Sequence, residues 1–401
     1  MIPNHKASKM SENDMLVISY VPQGGNWKDI PTSVPSKRLQ TIRDGYAQGK
    51  GSRSTYYGRL REDMPAHTIS TYFTRPGNGC NIHYSQNRTL TYREAARLQS
   101  FPDSFVFTGS YTSICKQIGN AVPPILSYQI AKAIPFKGAF VDLFCGAGGL
   151  ALGFFWAGWI PIIANDIEKS FVDTHKQNIP GDTVVGDIAS EAVTERIVNA
   201  VRYFRQNNPD VPLFVLGGPP CQGFSTANYR TTSDARNWLF KEYSRILSLI
   251  RPDGFVFENV TGILNFDHGN FFPHIVNELK KSVESVAIKK VNSANFAVPQ
   301  RRERVLVIGG NEALIGHFNL SPVTRIRVIT KSVSKITNEN VDDSFPLVPT
   351  VKDALEDLPI VFQGEDASQL EYRFPPSNGY QEVMRGVISV SQYLSLFKKN
   401  L

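Results

Sequence analysis

The chain has 401 residues, a net charge of +7 and a pI near 9.1, which allows two domains or one large domain with an appendage. Hydrophobic residues make up 41% and charged residues 20% of the sequence, as in ordinary soluble globular proteins. No apolar run reaches the ~18 residues of a membrane span, and the N-terminus lacks the apolar core of a secretory signal. We therefore expect a cytoplasmic protein without a membrane partner.

The cysteines are too few and too far apart for a local metal or redox motif. Cys80, Cys115, Cys145 and Cys221 form no CxxC pair, so neither a zinc knuckle nor a thiol pair is indicated. In a reducing compartment they are expected to be free thiols, and we predict no metal site.

The two ends of the chain differ from its centre. Residues 1–90 and 311–401 are rich in Pro, Gly, Ser, Asn and Tyr and predict irregular, partly β structure. From Lys28 to Arg97, basic residues alternate with aromatic ones, which fits either a polyanion partner or an ordinary solvated surface. Residues 91–103 predict an amphipathic helix that stops at Pro102, and residues 120–134 predict a second helix.

From residue 140 onwards, short apolar runs alternate with helical stretches. This rhythm predicts an α/β fold with a doubly wound, mostly parallel sheet, in which ligands bind at the carboxyl ends of the strands. The predicted strands are 140–144, 161–166, 183–187, 213–218 and 254–260, and the predicted helices are 149–158, 168–178, 190–207 and 237–250.

Three features near those strand ends suggest a nucleoside-containing cofactor. The glycines of DLFCGAGG follow the first strand and open a helix, where a ligand can approach the backbone, although such a turn can also be purely structural. Asp166 ends the next strand and could hold ribose hydroxyls, and Asp187 could accept a hydrogen bond from adenine. Because the glycine spacing is not GxGxxG, the pattern favours an adenosine cofactor without a pyrophosphate.

The loop GGPPCQGFS presents Cys221 after two prolines that stiffen the backbone. This cysteine could be a nucleophile, a metal ligand or a small buried filler. Glu258, at the end of the neighbouring strand, could donate a proton to a ring nitrogen, or could be a solvated cap. In QRRERV, Arg302 and Arg304 are expected on one face of a strand, as a surface charge run or as contacts to an anion or a reacting base.

These stretches occur together in one known family. FVDLFCGAGG, GGPPCQGFS, FENV and QRRERV, with REAARLQSFPD and QIGNAVPP, resemble the motifs of the DNA (cytosine-5) methyltransferases of bacterial restriction-modification systems. The resemblance covers nearly the whole chain. It implies a Rossmann-like class I methyltransferase domain, a smaller target-recognition domain and S-adenosylmethionine as the cofactor.

The order of the motifs differs from that of the family. REAARLQSFPD and QIGNAVPP normally close the sequence, but here they precede the first cofactor motif and are joined to it by PFKGA. The sequence therefore resembles a circularly permuted member. We expect residues 1–90 to form the N-terminal part of the recognition domain, 91–310 the catalytic domain, and 311–401 the hinge and C-terminal part of the recognition domain.

The resemblance assigns a role to individual residues. Cys221 is the expected nucleophile towards C6 of a flipped cytosine, Glu258 acts at N3, Asn259 positions the cytosine edge, and Arg302 and Arg304 complete the catalytic group. The expected DNA contacts are Gln222, Ser225, Arg59 and Thr68. The expected cofactor contacts are Phe144, Gly146, Ala147, Gly148, Leu150, Asp166, Ile167, Asp187, Ile188, Pro219, Leu239, Asn120 and Val122.

The implied function is methylation of C5 of a cytosine in a specific short duplex DNA sequence. We expect a monomer, associated with the bacterial nucleoid, whose product protects host DNA from a cognate restriction endonuclease. Two alternatives remain open from the sequence: an RNA cytosine-5 methyltransferase, and a catalytically silent DNA-binding homologue.

Overall fold

The computed structural model describes residues 1–49, 55–220, 239–327 and 344–398. Contacts divide the chain into two units, each assembled from separate stretches: Met1–Asn120, Ser293–Arg302 and Pro322–Leu401 form the first unit, and Ala121–Asn292 and Glu303–Ser321 form the second. Within the described ranges, no helix is both long enough and apolar enough to cross a membrane.

The first unit is largely irregular, with short helices and one small parallel pair of strands. The strands are β1 (Gly58–Arg59) and β2 (Cys80–Ile82). The helices are α1 (Glu12–Ser19), α2 (Lys37–Ala47), α3 (Tyr92–Leu98), α4 (Tyr111–Asn120), α12 (Val351–Leu355), α13 (Gly379–Met384) and α14 (Val390–Lys398).

A seven-stranded mixed sheet forms the centre of the second unit. Its spatial order is β5-β4-β3-β6-β7-β9-β8, in which β3 to β7 run parallel and β9 is antiparallel to both of its neighbours. The strands are β3 (Ala139–Leu143), β4 (Ile160–Asp166), β5 (Asp182–Val185), β6 (Leu213–Gly217), β7 (Gly254–Val260), β8 (Ser285–Asn292) and β9 (Glu303–Gly310).

The central strands are apolar because helices flank a parallel sheet on both faces. Every residue of β3 and β6 is buried, which is why β6 is a continuous apolar run and β3 is apolar except for Asp142, rather than alternating. The mostly parallel α/β sheet predicted from the sequence is thereby confirmed. The helices of this unit are α5 (Pro124–Ala133), α6 (Gly149–Trp156), α7 (Lys169–Asn178), α8 (Glu191–Asn207), α9 (Leu239–Ile250), α10 (Phe271–Lys280) and α11 (Glu312–His317).

Two predicted helices differ from those observed. The helix expected over 91–103 ends at Leu98, and Ser100 then takes a left-handed φ of 62°. The helix expected over 120–134 starts at Pro124, because Pro123 caps it from an extended conformation and a proline fits the first helical position. Helix α4 ends at Asn120 and was not predicted. Residues 91–120 belong to the first unit, although the sequence assigned them to the catalytic domain.

Helix α3 carries three charged side chains into the core of the first unit. Arg93 donates to the carbonyls of Pro3, Pro102 and Phe105. Glu94 accepts two hydrogen bonds from Arg88, at 2.6 and 2.7 Å. Arg97 is the third of these buried side chains. A buried charge is tolerated only when it is paired and hydrogen-bonded, so these partners are a condition of the fold.

Arg97 joins two distant parts of the sequence. Its guanidinium pairs with Asp103 at 2.6 Å and with Asp357 at 2.5 Å, and it is fully buried. Burial raises the pKa of Asp103, but the charge and hydrogen bonds of Arg97 outweigh burial and hold that pKa below its usual value. Because the folded-state pKa is lowered, this contribution to stability is present at neutral pH and is lost as the pH falls through that value.

The first ten residues lie against residues 359–368 within the same unit. The amide of Ile2 donates to the carbonyl of Ser368, and the amide of Ala7 donates to that of Glu365. In the opposite direction, the amide of Ala367 donates to the carbonyl of His5 at 2.9 Å. Segments from the two ends of the chain therefore share one backbone hydrogen-bond network.

We predict that Arg97→Leu lowers the free energy of unfolding by about 3–5 kcal/mol at pH 7, because it leaves the buried carboxylate of Asp103 without its cation, while Asp357 keeps Arg385. Urea denaturation measures this change. Arg61→Leu is the matched control: Arg61 pairs with Asp63 at 2.8 Å on the surface, and its loss is expected to cost below about 1 kcal/mol. Equal losses in the two variants would contradict the role of Arg97.

Candidate active site

The carboxyl ends of the parallel strands bring the predicted site residues of the second unit to one edge of the sheet. The glycine-rich turn follows β3, Asp166 ends β4 and Asp187 follows β5. Gly218 and Pro219 follow β6, whose neighbour β7 carries Glu258. Residues far apart in sequence thus meet because neighbouring parallel strands end together.

The turn after β3 has a conformation that its glycines allow. Phe144, Gly146 and Gly148 have φ values of 55°, 53° and 94°, in the left-handed region that glycine enters most easily. A Cβ on Gly148 would lie 2.5 Å from Cδ1 of Ile179 and 2.8 Å from Cδ2 of His175, whereas one on Gly146 would meet open space. Gly148 is therefore required for packing, and Gly146 leaves its outer side free.

Asp166 connects this turn to the next strand. Its Oδ2 accepts a hydrogen bond from the amide of Gly146 at 2.9 Å, and its Oδ1 accepts one from the amide of Glu168 at 3.0 Å. Burial raises the pKa of Asp166. Asp187 is exposed and accepts a hydrogen bond from the amide of Ala189. Each carboxylate oxygen keeps a lone pair for a ligand hydroxyl or amino group.

The other predicted cofactor residues are differently exposed. Ile167 is 65% exposed beside Asp166, so its side chain is accessible to a ring. Asn120 is exposed at the end of α4, in the first unit, so the geometry of the second unit does not include it. Phe144 and Leu239 are half-buried, and the buried members are Ala147, Leu150, Ile188, Pro219 and Val122.

A buried polar cluster that the sequence did not indicate lies beneath the turn. Asp142, Cys145 and His175 place one potential ligand atom each within 4.8 Å of one another. Burial, reinforced by the nearby carboxylates, raises the pKa of Cys145 well above its usual value. We assign a packing role to the cluster, because the ring of His175 lies against Gly148. No local sequence signal marks His175 for this role.

Glu258 and Arg304 form a pair at the edge of the sheet. Nε of Arg304 lies 2.7 Å from Oε1 of Glu258, and both residues are buried. They are brought together by the antiparallel pairing of β7 with β9. A Cβ on Gly218 would lie 2.9 Å from Oε2 of Glu258, so the absence of a side chain there leaves space for this carboxylate. A solvated cap, the alternative for Glu258, does not describe this buried pair.

Asn259 holds the backbone that leads to the predicted nucleophile. Its Nδ2 donates to the carbonyl of Pro219 at 3.3 Å, and its Oδ1 accepts a hydrogen bond from the amide of Val260. The predicted residues Cys221, Gln222 and Ser225 lie outside the described part of the chain, so their assignments stay predictions from the sequence.

The expectation that Arg302 and Arg304 share one face of a strand is wrong. β9 starts at Glu303, and Arg302 belongs to the first unit. Its buried guanidinium donates to the carbonyls of Gly119, at 2.8 Å, and Ile69, at 3.3 Å. A guanidinium held by backbone in this way supports the fold and is not exposed to an anion. Because Arg304 is also buried, the surface charge run is excluded for both residues.

Arg59 is likewise internal, and the predicted DNA contact is not supported at this position. Its guanidinium donates to four carbonyls, those of Ile18, Val21, His83 and Gln86, and to Oδ1 of Asn87. The side chain is 6% exposed, which leaves it no free donor surface for a phosphate. Thr68, by contrast, is exposed, and its hydroxyl donates to the carbonyl of Arg301 at 2.7 Å.

The curated relatives that the chain matches are named as Type II methyltransferases. The chain is 33% identical over 253 residues to Type II methyltransferase M.AgeI of Thalassovita gelatinovora, covering 61% of this chain and 57% of the relative. It is 38% identical over 173 residues to Type II methyltransferase M1.HphI of Haemophilus parahaemolyticus, covering 42% and 45%. The chain thus spans about half the length of the curated relatives that it matches.

The comparison with solved structures gives a partial match. The S. pombe Dnmt2 methyltransferase shares 16% identity, with a TM-score of 0.33 and coverage of 44% of this chain and 50% of that one. The family model described as "C-5 cytosine-specific DNA methylase" matches residues 4–135 and 138–377, which is most of the sequence. The chain belongs to the C-5 cytosine-specific DNA methylase family.

Proposed function

We propose that this protein transfers a methyl group from S-adenosylmethionine to C5 of a cytosine within a specific short sequence of duplex DNA. The observation that carries the proposal is the buried Glu258–Arg304 pair, next to the backbone of Gly218 and Pro219 that leads to Cys221. It supplies an oriented carboxyl next to Gly218, and Cys221 follows shortly after Gly218 in the sequence. These are the two groups that activation of a pyrimidine ring needs.

The proposed chemistry uses Cys221 as the nucleophile and Glu258 as the group at N3. The thiolate adds to C6 of the flipped cytosine, while Glu258 donates a proton or hydrogen bond to N3, and electron density moves to C5. C5 takes the methyl group, then loses its proton to a base, and the thiolate leaves C6 as the C5–C6 double bond forms again. Arg304 fixes the direction of the Glu258 carboxyl, and Asn259 fixes the carbonyl of Pro219.

The strand edge of the second unit fits S-adenosylmethionine. The open side of Gly146 admits a ligand close to the backbone, and the start of α6 offers amides to a negatively charged group. Asp166 and Asp187 have lone pairs available for ribose hydroxyls and for an adenine amino group, and Ile167 is exposed next to Asp166. The cofactor supplies an electrophilic methyl group on a sulfonium. The chain's part is to orient it.

We further propose that the motif order is circularly permuted. The family model matches in two segments that meet between residues 135 and 138, at the link between α5 and β3. In the second unit, a Cβ on Gly153 of α6 would lie 2.4 Å from Cβ of Ser127 in α5, so the two helices pack in close contact. A helix that closes the usual order can therefore precede β3 with only a short connection.

Recognition of a DNA sequence is proposed for the first unit. It contains residues 1–90 and 322–401 of the predicted recognition segments, whereas 311–321 belong to the second unit. Its surface carries cation–aromatic pairs such as Lys28 over Tyr46 and Arg75 over Tyr72. Such groups suit contacts to phosphates and bases. We also propose that the protein is a monomer that acts at the nucleoid and protects its sites from a cognate endonuclease.

We predict that Cys221→Ala abolishes methylation and that Glu258→Gln lowers the single-turnover rate by about 10²-fold, the usual scale of proton transfer. A duplex containing 5-fluorocytosine is expected to trap wild type as an SDS-stable adduct, because the fluorine cannot leave as a proton does. Bisulfite sequencing of DNA from expressing cells gives the site.

The matched control for this experiment is Glu278→Gln. Glu278 is a carboxylate of the same unit that pairs with Lys281 at the surface, and its replacement is expected to leave the rate unchanged. An adduct that forms with Cys221→Ala would refute the assignment of the nucleophile. Methylation of an RNA of the same sequence, but not of DNA, would refute the substrate.

We predict different effects for two glycine substitutions in the cofactor turn. Gly146→Ala places a methyl group in the space proposed for the cofactor, so its affinity for S-adenosylmethionine falls, while stability falls by about 1–2 kcal/mol from the left-handed backbone. Gly148→Ala also forces His175 and Ile179 to move, so its stability falls further. Calorimetric titration and thermal unfolding measure the two effects. Unchanged affinity in Gly146→Ala would contradict this cofactor site.

The permutation predicts that the order of the chain can be restored without loss of the site. In the test variant, Leu401 is joined to Met1 by a Gly/Ser linker and the chain is opened between Lys137 and Gly138. We expect it to methylate the same sequence as wild type, because the packing of α5 on α6 needs no covalent link. A folded variant with a different target sequence, or with none, would contradict the proposal.

A further inference from the structure

The segment from Ala66 to Ser70, here called the recognition segment, has no helix or strand of its own. It follows β1 in the chain and exposes Thr68 at its centre. Irregular backbone of this kind keeps one conformation only if other parts of the protein hold it. If the first unit recognises a DNA sequence, as proposed, the position of a segment that contacts bases must be fixed to within about 0.5 Å.

Residues 299–302 hold the recognition segment from one side. The amide of Ala66 donates to the carbonyl of Pro299 at 2.9 Å, and the amide of Arg301 donates to the carbonyl of Ala66 at 2.8 Å. The hydroxyl of Thr68 donates to the carbonyl of Arg301 at 2.7 Å. All of these contacts lie within the first unit, and the segment depends on a stretch more than 200 residues later in the sequence.

Gln300 ties this pair of segments to helix α3 and its C-terminal cap. Its Oε1 accepts a hydrogen bond from the amide of Ile69 at 2.9 Å, while its Nε2 donates to the carbonyl of Leu98 at 3.1 Å and to Oε1 of Gln99 at 2.8 Å. The side chain is fully buried. Both of its N–H groups are therefore used, and its carbonyl satisfies an amide of the recognition segment.

We propose that Gln300 is a positioning residue for target recognition: it sets the place of the recognition segment relative to α3, and so determines how strictly the enzyme discriminates between DNA sequences. The inference rests on the proposed function and adds a residue that need not touch DNA. A buried amide without its partner costs free energy, so a change at Gln300 moves the Ile69 backbone rather than leaving it in place.

A neighbouring pair makes the recognition segment rigid at its start. Nη2 of Arg301 lies 2.8 Å from Nε2 of His67, and burial, with the charge of Arg301, lowers the pKa of His67 to about 4. His67 is therefore neutral at physiological pH and accepts this hydrogen bond. It does not titrate in the assay range, so a pH effect in a Gln300 variant is not attributed to it.

The experiment compares three variants of the full-length protein after bisulfite sequencing has defined the wild-type site. Gln300→Met keeps the size of the side chain and removes its hydrogen bonds. Gln300→Glu keeps an acceptor and regains a donor only when the buried carboxyl is protonated. Gln381→Met is the matched control, since Gln381 is equally buried in the same unit and hydrogen-bonds Ser377 and Asp353.

The measured quantity is the ratio of kcat/KM for the cognate duplex to that for duplexes with one changed base pair. For Gln300→Met we expect the ratio to fall by about tenfold or more, the scale of one lost base contact, with affinity for S-adenosylmethionine unchanged. For Gln381→Met we expect a similar loss of thermal stability and an unchanged ratio. If Gln300 had only a structural role, the kcat/KM ratio would change equally in the two variants.

The pH profile provides a second measurement that does not depend on the methionine variant folding. Burial raises the pKa of a carboxyl, so the ratio for Gln300→Glu is expected to rise towards the wild-type value as the pH falls from about 8 to about 6. If the kcat/KM ratio is unchanged in either Gln300 variant, or falls equally in Gln381→Met, this inference is overturned while the proposed function stands. Wild type that makes no 5-methylcytosine would overturn the proposed function and the inference with it.

Discussion

The common end point of five neighbouring parallel strands is the constraint on which the candidate site depends. Because β3, β4, β5, β6 and β7 run in the same direction, the residues that follow each strand collect at one edge of the sheet. The glycine turn, Asp166, Asp187, Pro219 and Glu258 reach that edge from segments spread over more than 100 residues of sequence. Loops can then vary in length without moving these side chains, since the strands hold their starting points.

The strand β9 adds a feature that parallel strands alone cannot provide. It runs antiparallel to β7, so Arg304 near its start faces Val260 at the end of β7. The guanidinium can then reach Glu258 from the adjacent strand. On the parallel neighbour β6, the residue next to Glu258 is Gly218, which already lies in the loop after that strand. A cation at that position would not be held by a strand. The antiparallel edge thus places a rigid, strand-borne arginine beside the carboxylate.

The first unit is organised differently, by buried charges that bond to backbone carbonyls. Arg59, Arg93 and Arg302 each donate to carbonyls of remote segments, and Arg97 pairs with two carboxylates. The described part of this unit has few strands whose amides could donate hydrogen bonds to those carbonyls. An arginine has five N–H donors in a fixed plane, so a single side chain can cross-link several irregular segments. We regard these arginines as substitutes for sheet hydrogen bonds.

The sequence predicts the second unit well because its signals are local. Apolar runs such as 213–218 and the glycines after β3 mark strand and turn without reference to partners. The roles of Arg59 and Arg302 could not be predicted, because a basic residue in an aromatic-rich stretch looks the same whether it faces DNA or a buried carbonyl. His175 and Gln300 were missed for the same reason: each acts on a segment that is distant in sequence and has no motif of its own.

The motif order of this chain is compatible with the fold because packing contacts, and not the order of the chain, fix the place of each element. The packing of α5 on α6, and the place of β3 between β4 and β6, are fixed by contacts that do not depend on which element comes first. Chain order enters only through the entropy of closing each connection, which grows slowly with its length. The link between α5 and β3 spans only residues 134–138, so it closes at little cost. Residues 2–10 are hydrogen-bonded to residues 359–368. The first unit therefore keeps these backbone partners whichever of its segments comes first in the chain.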